Sequence, residues 1–470
     1  MSFQGIMLMG HELMMALAIV VLLIFEIFKS DKRRASALPL SILLVMASMA
    51  VAVAGPSEGK LFGGMYQTDA LRVAVKLILD LGVLLTFFQT RGWISKHDNH
   101  DRVTEFYILM LSSLIGMSFM VSAGDFLMLY LGLELATMPL CALAAFDKYK
   151  RVSAEAGVKY IFSSAMSTAI LLFGVSLIYA TTGSIYFDTI AQNIQPDTLT
   201  LLGMVFILTG LGFKISLVPF HLWTADVYEG SPIAITTFLS VVSKGAAVFV
   251  FTWVLYNVFG KSSDLWRHIL VILSIATMTV GNLFAIRQEN FKRFLAFSSI
   301  AQAGFILLGV LGEGSFGMGI VVFFLLVYVF TNIAAFSVVA AVADFSGKEN
   351  ISDYNGFYKT NPKLTLVLML ALFSLAGIPP VAGFFGKLFL FGAAASKGFY
   401  WLIFVAVLNA TISLYYYLKP VRAMFIEKND APIATFKTDG YLRTGIIACV
   451  VGIFATGFAS VVFEYILSIS

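Results

Sequence analysis

The 470-residue sequence contains few charged side chains and only two cysteines. Asp, Glu, Lys and Arg make up 12% of it, about half of the share that is usual in soluble globular proteins. Hydrophobic residues make up 59%, and the mean hydropathy is +0.90. This composition excludes a soluble globular protein. Because no polar linker divides the sequence, we expect one membrane-embedded body.

Residues for metal and redox sites are scarce. Cys141 and Cys449 both lie in apolar runs, and no CxxC pair or metal-spaced Cys/His cluster occurs, which excludes iron–sulfur ligation. Of the five histidines only His221 falls near the interior of an apolar run, so a bis-histidine haem has no ligands. The GxGxxG pattern at residues 312–317 lies between apolar helices and not in a βαβ unit, which predicts a tight turn. We expect no cofactor in this chain.

Long apolar runs fill most of the sequence. At about 20 residues per span, they predict an all-α integral membrane protein with about 14 transmembrane helices. The predicted segments are 9–28, 38–54, 70–90, 104–123, 125–146, 154–182, 199–220, 232–257, 268–286, 294–312, 315–344, 363–391, 398–418 and 444–468. Lys and Arg fall mainly in alternate loops, which makes those loops cytoplasmic and places both termini on the outer side. The basic cluster at residues 29–34 indicates that the first run is a retained anchor and not a cleaved signal peptide.

Several charged residues nevertheless fall inside the predicted spans. They are Arg72, Lys76, Asp80, Asp125, Glu134, Lys159, Lys214, Lys244 and Lys387. A lysine at the middle of the membrane costs roughly 2.5–3.5 kcal/mol. Lys76 and Asp80 are four residues apart, so we expect them to neutralise each other on one helix face. Arg72 is close enough to a span end to extend its side chain towards the membrane surface.

Glu134, Lys214, Lys244 and Lys387 lack such local explanations. Each lies well inside an apolar run, with no opposite charge within four residues on its own helix. Isolated ionisable groups of this kind usually mark ion pathways, so we predict that these four are functional. Lys159 lies nearer to a span end, and either a functional role or simple extension to the cytoplasmic surface remains open.

Two predicted helices are interrupted beside a lysine. Pro219 follows Lys214 and leaves the carbonyl of Ile215 without its helical partner, and two prolines and three glycines precede Lys387 in the segment 374–387. Broken backbone at membrane depth is tolerated only beside protein or a water-filled cavity. The broken helices are the seventh and the twelfth, which predicts two inverted five-helix repeats. The expected units are 1–103, 104–257, 268–418 and 419–470.

Lysine in a partly dry cavity is a switchable proton carrier, because desolvation disfavours the ammonium form and a nearby carboxylate restores it. We therefore expect Lys214 to hold a proton when Glu134 approaches and to release it when Glu134 withdraws. Lys244 and Lys387 would extend the pathway laterally. His221 either bridges Lys214 and Lys244 or caps carbonyls freed by the break. A sodium site would use several carboxylates and carbonyls, so a proton relay fits better.

These segments resemble the antiporter-like membrane subunits of respiratory complex I, or NADH-quinone oxidoreductase. The resemblance extends from about the fourth predicted helix onward and rests on several motifs in the family's order. They are LYLGLEL at residues 129–135, EAGVKY at 155–160, GFKISLVPFHLW at 212–223, DVYEG at 226–230, FKRFLAFSSI at 291–300 and LAGIPPVAGFFGK at 375–387. Lys387 and the short sequence after the last span favour the N type over the M and L types.

The resemblance implies a proton-pumping role for Glu134, Lys159, Lys214, Lys244 and Lys387. It also implies a bacterial inner-membrane location and the other complex I membrane subunits as partners, with no nucleic acid. NADH, FMN, iron–sulfur clusters and quinone are then expected in the partner subunits. Ala225 and Gln302 depart from the family, which usually has proline and often histidine there. The alternative is a subunit of a multisubunit cation/proton antiporter, which would have the same fold.

Overall fold

A computed structural model describes residues 3–28, 36–94 and 100–470, and it is built almost entirely of helices. The first part comprises α1 (Phe3–Met7), α2 (Gly10–Phe28), α3 (Ala37–Ala54), a hairpin of β1 (Gly59–Leu61) and β2 (Tyr66–Thr68), and α4 (Ala70–Ile94). The basic cluster at residues 29–34, on which the predicted anchor depends, lies outside the described residues.

The middle of the chain holds α5 (Val103–Val121), α6 (Phe126–Ala144), α7 (Arg151–Thr182), α8 (Phe187–Asn193), α9 (Thr198–Ile215), α10 (Leu222–Gly230), α11 (Ile233–Phe238) and α12 (Lys244–Asn257). A π-helical segment, Leu239–Ser243, joins α11 to α12. The remaining helices are α13 (Ser263–Ile286), α14 (Phe291–Val310), α15 (Gly314–Ser346), α16 (Phe357–Thr360), α17 (Pro362–Ala376), α18 (Ala382–Ser396), α19 (Tyr400–Phe425), α20 (Gly440–Phe458) and α21 (Ser460–Ser468).

The described residues contain 12 helices that are long and apolar enough to cross a membrane, which makes this a multi-pass membrane protein. Two further predicted segments correspond to α4, which carries charges, and to the pair α17 and α18, each shorter than a full span. The helical, membrane-embedded fold class is therefore confirmed. The exact number of crossings stays a prediction.

Glycines allow the closest helix pairs to form. At Gly116 in α5, an added Cβ would lie 2.2 Å from the backbone nitrogen of Ala136 in α6. At Gly174 in α7, it would lie 2.7 Å from the carbonyl oxygen of Gly203 in α9. Without a hydrophobic force between helices in lipid, such close backbone approach supplies much of the packing energy. Helices α14 and α15 and the α11–α12 run are almost wholly buried at the centre of this bundle.

The same local features occur twice along the chain. Each interrupted helix is followed by a residue with positive φ, which is Ser216 after α9 and Gly377 after α17. In both cases a cis X–Pro bond begins two residues later. The two longest helices, α7 and α15, both end at a glycine with positive φ. Asp125 before α6 forms a bridge to Tyr186 after α7, and Asn290 before α14 forms one to Asn350 after α15.

The GxGxxG segment forms the turn between α14 and α15. Glu313 and Gly314 both have positive φ, at 51° and 63°. The prediction of a tight turn matches the positive φ values of Glu313 and Gly314, and the last part of the segment, residues 315–317, belongs to α15.

Candidate functional site

Lys214 and Glu134 lie on neighbouring helices without forming an ion pair. Lys214, near the end of α9, is 7% exposed, and its Nζ donates a hydrogen bond to Thr137 Oγ1 at 2.7 Å. Glu134 lies one turn before Thr137 on α6, and its Oε1 accepts from Thr168 Oγ1 of α7 at 2.8 Å. Both charges therefore bind hydroxyl groups, and the movement of Glu134 towards and away from Lys214 stays a prediction.

The chain is interrupted directly after Lys214. Ser216 has φ 67°, and the amides of Ser216 and Leu217 both donate back to the carbonyl of Gly212 or Phe213. This pattern is a common helix C-terminus that satisfies the last free carbonyls. His221 lies just before α10 and is 8% exposed, and its Nδ1 has no hydrogen-bond partner among the described residues. No hydrogen bond joins it to Lys214 or Lys244 in the described part of the chain, so its bridging role stays a prediction.

Lys244 begins α12, immediately after the π-helical segment, and it is 3% exposed. Its Nζ donates to Ser299 on α14, at 2.8 Å to Oγ and 3.2 Å to the carbonyl oxygen. No carboxylate oxygen of the described residues lies within 4.0 Å of its Nζ. π-Helical turns are rare in proteins overall, but those that occur are often found at functional sites. Here the wide turn precedes a buried cation that only neutral groups satisfy.

Lys387 on α18 binds the end of the other interrupted helix. Its Nζ donates to the carbonyl oxygen of Ala376, the last residue of α17, at 3.0 Å. The same nitrogen lies 4.7 Å from the centroid of the Phe305 ring, so the ring face also stabilises the cation. As at Lys244, no carboxylate oxygen of the described residues lies within 4.0 Å of the Lys387 Nζ.

Gln302 lies between these two lysines, on α14. Its Nε2 donates to the carbonyl of Leu375 at 2.9 Å and to Tyr417 Oη at 3.1 Å, whereas its Oε1 has no partner among the described residues. A cavity of about 10 Å³, lined by Gln302, Ser374 and Lys387 among others, adjoins this site. That is roughly the space that one water molecule needs. Gln302 and this cavity therefore place polar groups beside Lys387, and a continuous path from Lys244 stays a prediction.

Lys159 lies apart from the three buried lysines, in a wide polar cavity. Its Nζ contacts Asp226 at 2.6 Å and Glu155 at 2.8 Å, and its side chain is 41% exposed. Arg293 of α14 binds Asp226 at 2.7 Å and Glu229 at 2.8 Å. Burial alone would raise the pKa of Asp226, but the hydrogen bonds from Lys159 and Arg293 outweigh it and hold that pKa below its ordinary value. The surrounding cavity measures about 400 Å³.

Sequence reasoning missed most partners of these lysines. Thr137 and Thr168 are ordinary residues for a membrane helix, and only the packing of α6 against α7 and α9 brings their hydroxyl groups to the charges. Ser299 and Asp226 lie inside the quoted motifs, which offered a weak signal for them. A buried cation without a carboxylate nearby needs polar neutral partners, and hydroxyl groups on neighbouring helices supply them here.

The expectations for the first helices were wrong. Lys76 pairs with Glu12 of α2 at 2.5 Å, and Asp80 pairs with His11 at 2.8 Å, so the two do not neutralise each other. Tyr66 of the hairpin donates to Glu12 at 3.0 Å. Arg72 is 3% exposed and binds Asp69. Its side chain also donates to the carbonyl oxygens of Val121 at 3.1 Å and Ala123 at 3.4 Å, so it is satisfied inside the protein and does not extend to the membrane surface.

Metal ligation has no candidate site in the described ranges, since no group of three or more His, Cys, Asp or Glu side chains converges there. This observation concerns residues 3–28, 36–94 and 100–470 only.

Comparison with known proteins identifies similar chains. A sequence model described as the NADH:quinone oxidoreductase/Mrp antiporter transmembrane family matches residues 123–413. NADH-quinone oxidoreductase subunit N of Phocaeicola vulgatus is 47% identical over 99% of this chain and 98% of the relative. The subunit of the same name from Azobacteroides pseudotrichonymphae is 48% identical over 100% of this chain and 99% of its own.

Solved structures agree with these sequence relationships. A chain of respiratory complex I from Thermus thermophilus with bound aureothin has a TM-score of 0.82 at 29% identity, and the alignment covers 97% of this chain and 98% of that one. A chain of the Mrp complex from Dietzia has a TM-score of 0.87 at 20% identity, covering 100% of this chain and 97% of that one. At 20% identity, the similarity to the Mrp chain shows a shared fold alone.

Proposed function

The chain belongs to the NADH:quinone oxidoreductase/Mrp antiporter family of membrane subunits, and we propose that it is the N-type proton-translocating subunit of an NADH-quinone oxidoreductase. The observation that carries the proposal is the set of buried lysines, Lys214, Lys244 and Lys387, none of which has a carboxylate partner within 4.0 Å in the described residues. A buried cation without a counter-charge is costly to keep, so its proton is readily lost and regained.

The hydroxyl partners suit lysines that change protonation state. Thr137 and Ser299 accept a hydrogen bond from an ammonium, and after the proton leaves they can rotate to donate one to the neutral amine. Lys214 and Lys244 therefore keep a partner in both states. Glu134, held by Thr168, lies one turn from Thr137 on α6. Its movement towards Lys214 would favour the ammonium, and its return to Thr168 would release the proton.

We propose that protons enter from the polar cavity around Lys159, pass to Lys214, and continue through Lys244 to Lys387. His221, beside the break after α9, would assist the step between Lys214 and Lys244. One water beside Gln302 Oε1 and Lys387 would take the place of the family's histidine. The ion cluster of Lys159, Asp226 and Arg293 would hold α7, α10 and α14 together at the mouth of this pathway.

The recurring features of the fold support two five-helix repeats, at residues 104–257 and 268–418. Residues 1–103 would precede them as a three-helix segment, and residues 419–470 would follow. The bridge at Asp125 and the bridge at Asn290 hold equivalent positions in the two units. In the predicted orientation, Asn290 would lie on the Lys/Arg-rich side and Asp125 on the other side, as an inverted repeat requires.

Redox chemistry would lie in partner subunits. We propose that NADH, FMN, the iron–sulfur clusters and quinone are held there, and that other antiporter-like membrane subunits flank this chain in the inner membrane. Both termini would face the outer side, because the Lys/Arg-rich loops are cytoplasmic.

Replacement of Lys214 by Ala in the assembled complex tests this function. We expect NADH-driven proton uptake by inverted vesicles to fall at least tenfold, while the complex still assembles. Lys148→Ala, an exposed lysine on the Lys/Arg-rich side, is the matched control and should pump normally. Unchanged pumping in the Lys214 variant would refute the relay. Purification of the chain with antiporter subunits and without NADH dehydrogenase activity would favour the antiporter alternative.

A further inference from the structure

A cavity separate from the lysine pathway opens on the Lys/Arg-rich side of the protein. It measures about 540 Å³ and lies between the first turns of α17 and α20 and the segment that precedes α20. Ligand sites for molecules of moderate size usually measure about 300–1,000 Å³. The cavity is therefore large enough for a phospholipid head group.

Hydrogen bonds fix one wall of this cavity in place. Asn361 Nδ2 donates to the carbonyl of Ala434 at 3.1 Å, and Asn361 Oδ1 accepts from the amide of Phe436 at 3.2 Å. Thr435 Oγ1 donates to the carbonyl of Thr360 at 3.0 Å. The Phe436 ring also stacks on Phe345 with a centroid separation of 4.5 Å. The segment is held on two sides, so the cavity is preformed.

Positive charge lines the cavity. Lys363 lies in the first turn of α17, Arg443 in the first turn of α20 and Lys437 in the segment between α19 and α20. All three side chains are exposed, and no carboxylate is among the lining residues of the described chain. The N-terminus of α17 adds its partial positive charge, whereas Asp439 caps the N-terminus of α20 by accepting from the amides of Tyr441 and Leu442. An anion is the ligand that this set of groups complements.

An exposed apolar stripe leads from the cavity along α20. It consists of Ile447, Val451, Phe454 and Phe458, which are 53%, 60%, 41% and 65% exposed. Their spacing places them on one helix face over about 16 Å, close to half of the 30 Å hydrocarbon core. Ile447 also lines the cavity, so the cationic end and the apolar stripe are continuous. A ligand that fits both parts has an anionic head group and an acyl chain about as long as one leaflet is thick.

We propose that this cavity binds the phosphate of an anionic phospholipid from the cytoplasmic leaflet, with one acyl chain along the stripe on α20. Basic pockets between membrane helices on the cytoplasmic side have this chemistry. The cavity shares no residue with the proposed proton pathway. The lipid would fill the space between α17 and α20 and steady α17, whose last carbonyl binds Lys387.

Lipid binding to the purified complex tests the proposal. The pocket variant Lys363→Gln/Lys437→Gln/Arg443→Gln removes three cations. The control variant Lys148→Gln/Arg287→Gln/Lys359→Gln removes two exposed lysines and one exposed arginine outside the cavity. Each complex is stripped of lipid, titrated with phosphatidylglycerol and examined by native mass spectrometry. Since each cation near an anionic lipid contributes about a fivefold gain in affinity, we expect about 100-fold weaker binding in the pocket variant and less than a twofold change in the control.

Equal affinities in the two variants would overturn the proposal, and so would equally tight binding of phosphatidylcholine to the natural protein. Displacement of the lipid by millimolar inorganic phosphate would likewise overturn it, because the site would then bind a small anion alone. A phosphatidylglycerol with a photoreactive acyl chain should label residues 447–458. Labelling of a neighbouring subunit in place of this segment would mean that protein covers the stripe.

Discussion

In the proposed mechanism, the hydrogen bond from Thr168 sets the balance between the two positions of Glu134. The change Thr168→Val keeps the shape of the side chain and removes the hydroxyl that donates to Glu134 Oε1 at 2.8 Å. A hydrogen bond to a charged group contributes about 1.5–3 kcal/mol. Because every 1.4 kcal/mol is tenfold, its loss should shift the population towards the Glu134–Lys214 ion pair by about 10- to 100-fold. That pair holds the proton on Lys214.

Proton pumping in inverted vesicles measures the result. We expect NADH-driven acidification by the Thr168→Val complex to fall about tenfold or more, with normal assembly. Thr168→Ser restores the donor and should recover most of the rate. Equal pumping by the Val and Ser variants would refute the reasoning, because the hydroxyl group at position 168 would then have no effect on the position of Glu134.

Three further predictions concern other contacts of buried or partly buried charges. Ser299→Ala leaves Lys244 only its 3.2 Å carbonyl contact, so pumping should slow several-fold, whereas an unchanged rate would exclude Ser299 as its partner. Glu12→Gln leaves Lys76 buried without its counter-charge and should destabilise the chain by about 3–5 kcal/mol, seen as a lower melting temperature of the complex. Adding Lys76→Met to this variant should recover most of the lost stability, and a further fall in the melting temperature would contradict the pairing. Lys159→Gln should reduce pumping less than Lys214→Ala, because Arg293 still binds Asp226; an equal loss in vesicle assays would contradict this ranking.

The positions of the charged residues along the sequence were enough to predict that Lys214, Lys244 and Lys387 are buried, but not which groups they contact. Lys214, Lys244 and Lys387 all lie inside predicted membrane spans, and burial follows directly from that position. The breaks at Ser216 and Gly377 follow from proline and glycine, whose backbone preferences are local. Local rules therefore predicted the charged residues and the backbone around them.

Partners from distant helices could not be predicted in the same way. Lys76 and Asp80 have the spacing of a local ion pair, yet Glu12 and His11 of α2 compete successfully for them. In a membrane interior a buried ion is stabilised by a counter-charge from any helix that packs against it. The spacing of two charges on one helix therefore does not predict which residues form the ion pair. The hydroxyl contact of Lys214 likewise depends on how α6 packs against α9, which no single segment encodes.

The most direct test of the proton pathway is the rate of NADH-driven proton pumping by complexes that carry Lys387→Met, measured per assembled complex in proteoliposomes. Methionine keeps most of the side-chain volume beside Phe305 and the Ala376 carbonyl but cannot carry a proton. If Lys387 is the last buried carrier, pumping should fall at least tenfold below both the natural complex and a Lys148→Met control. Pumping at the natural rate by the Lys387→Met complex would contradict the pathway.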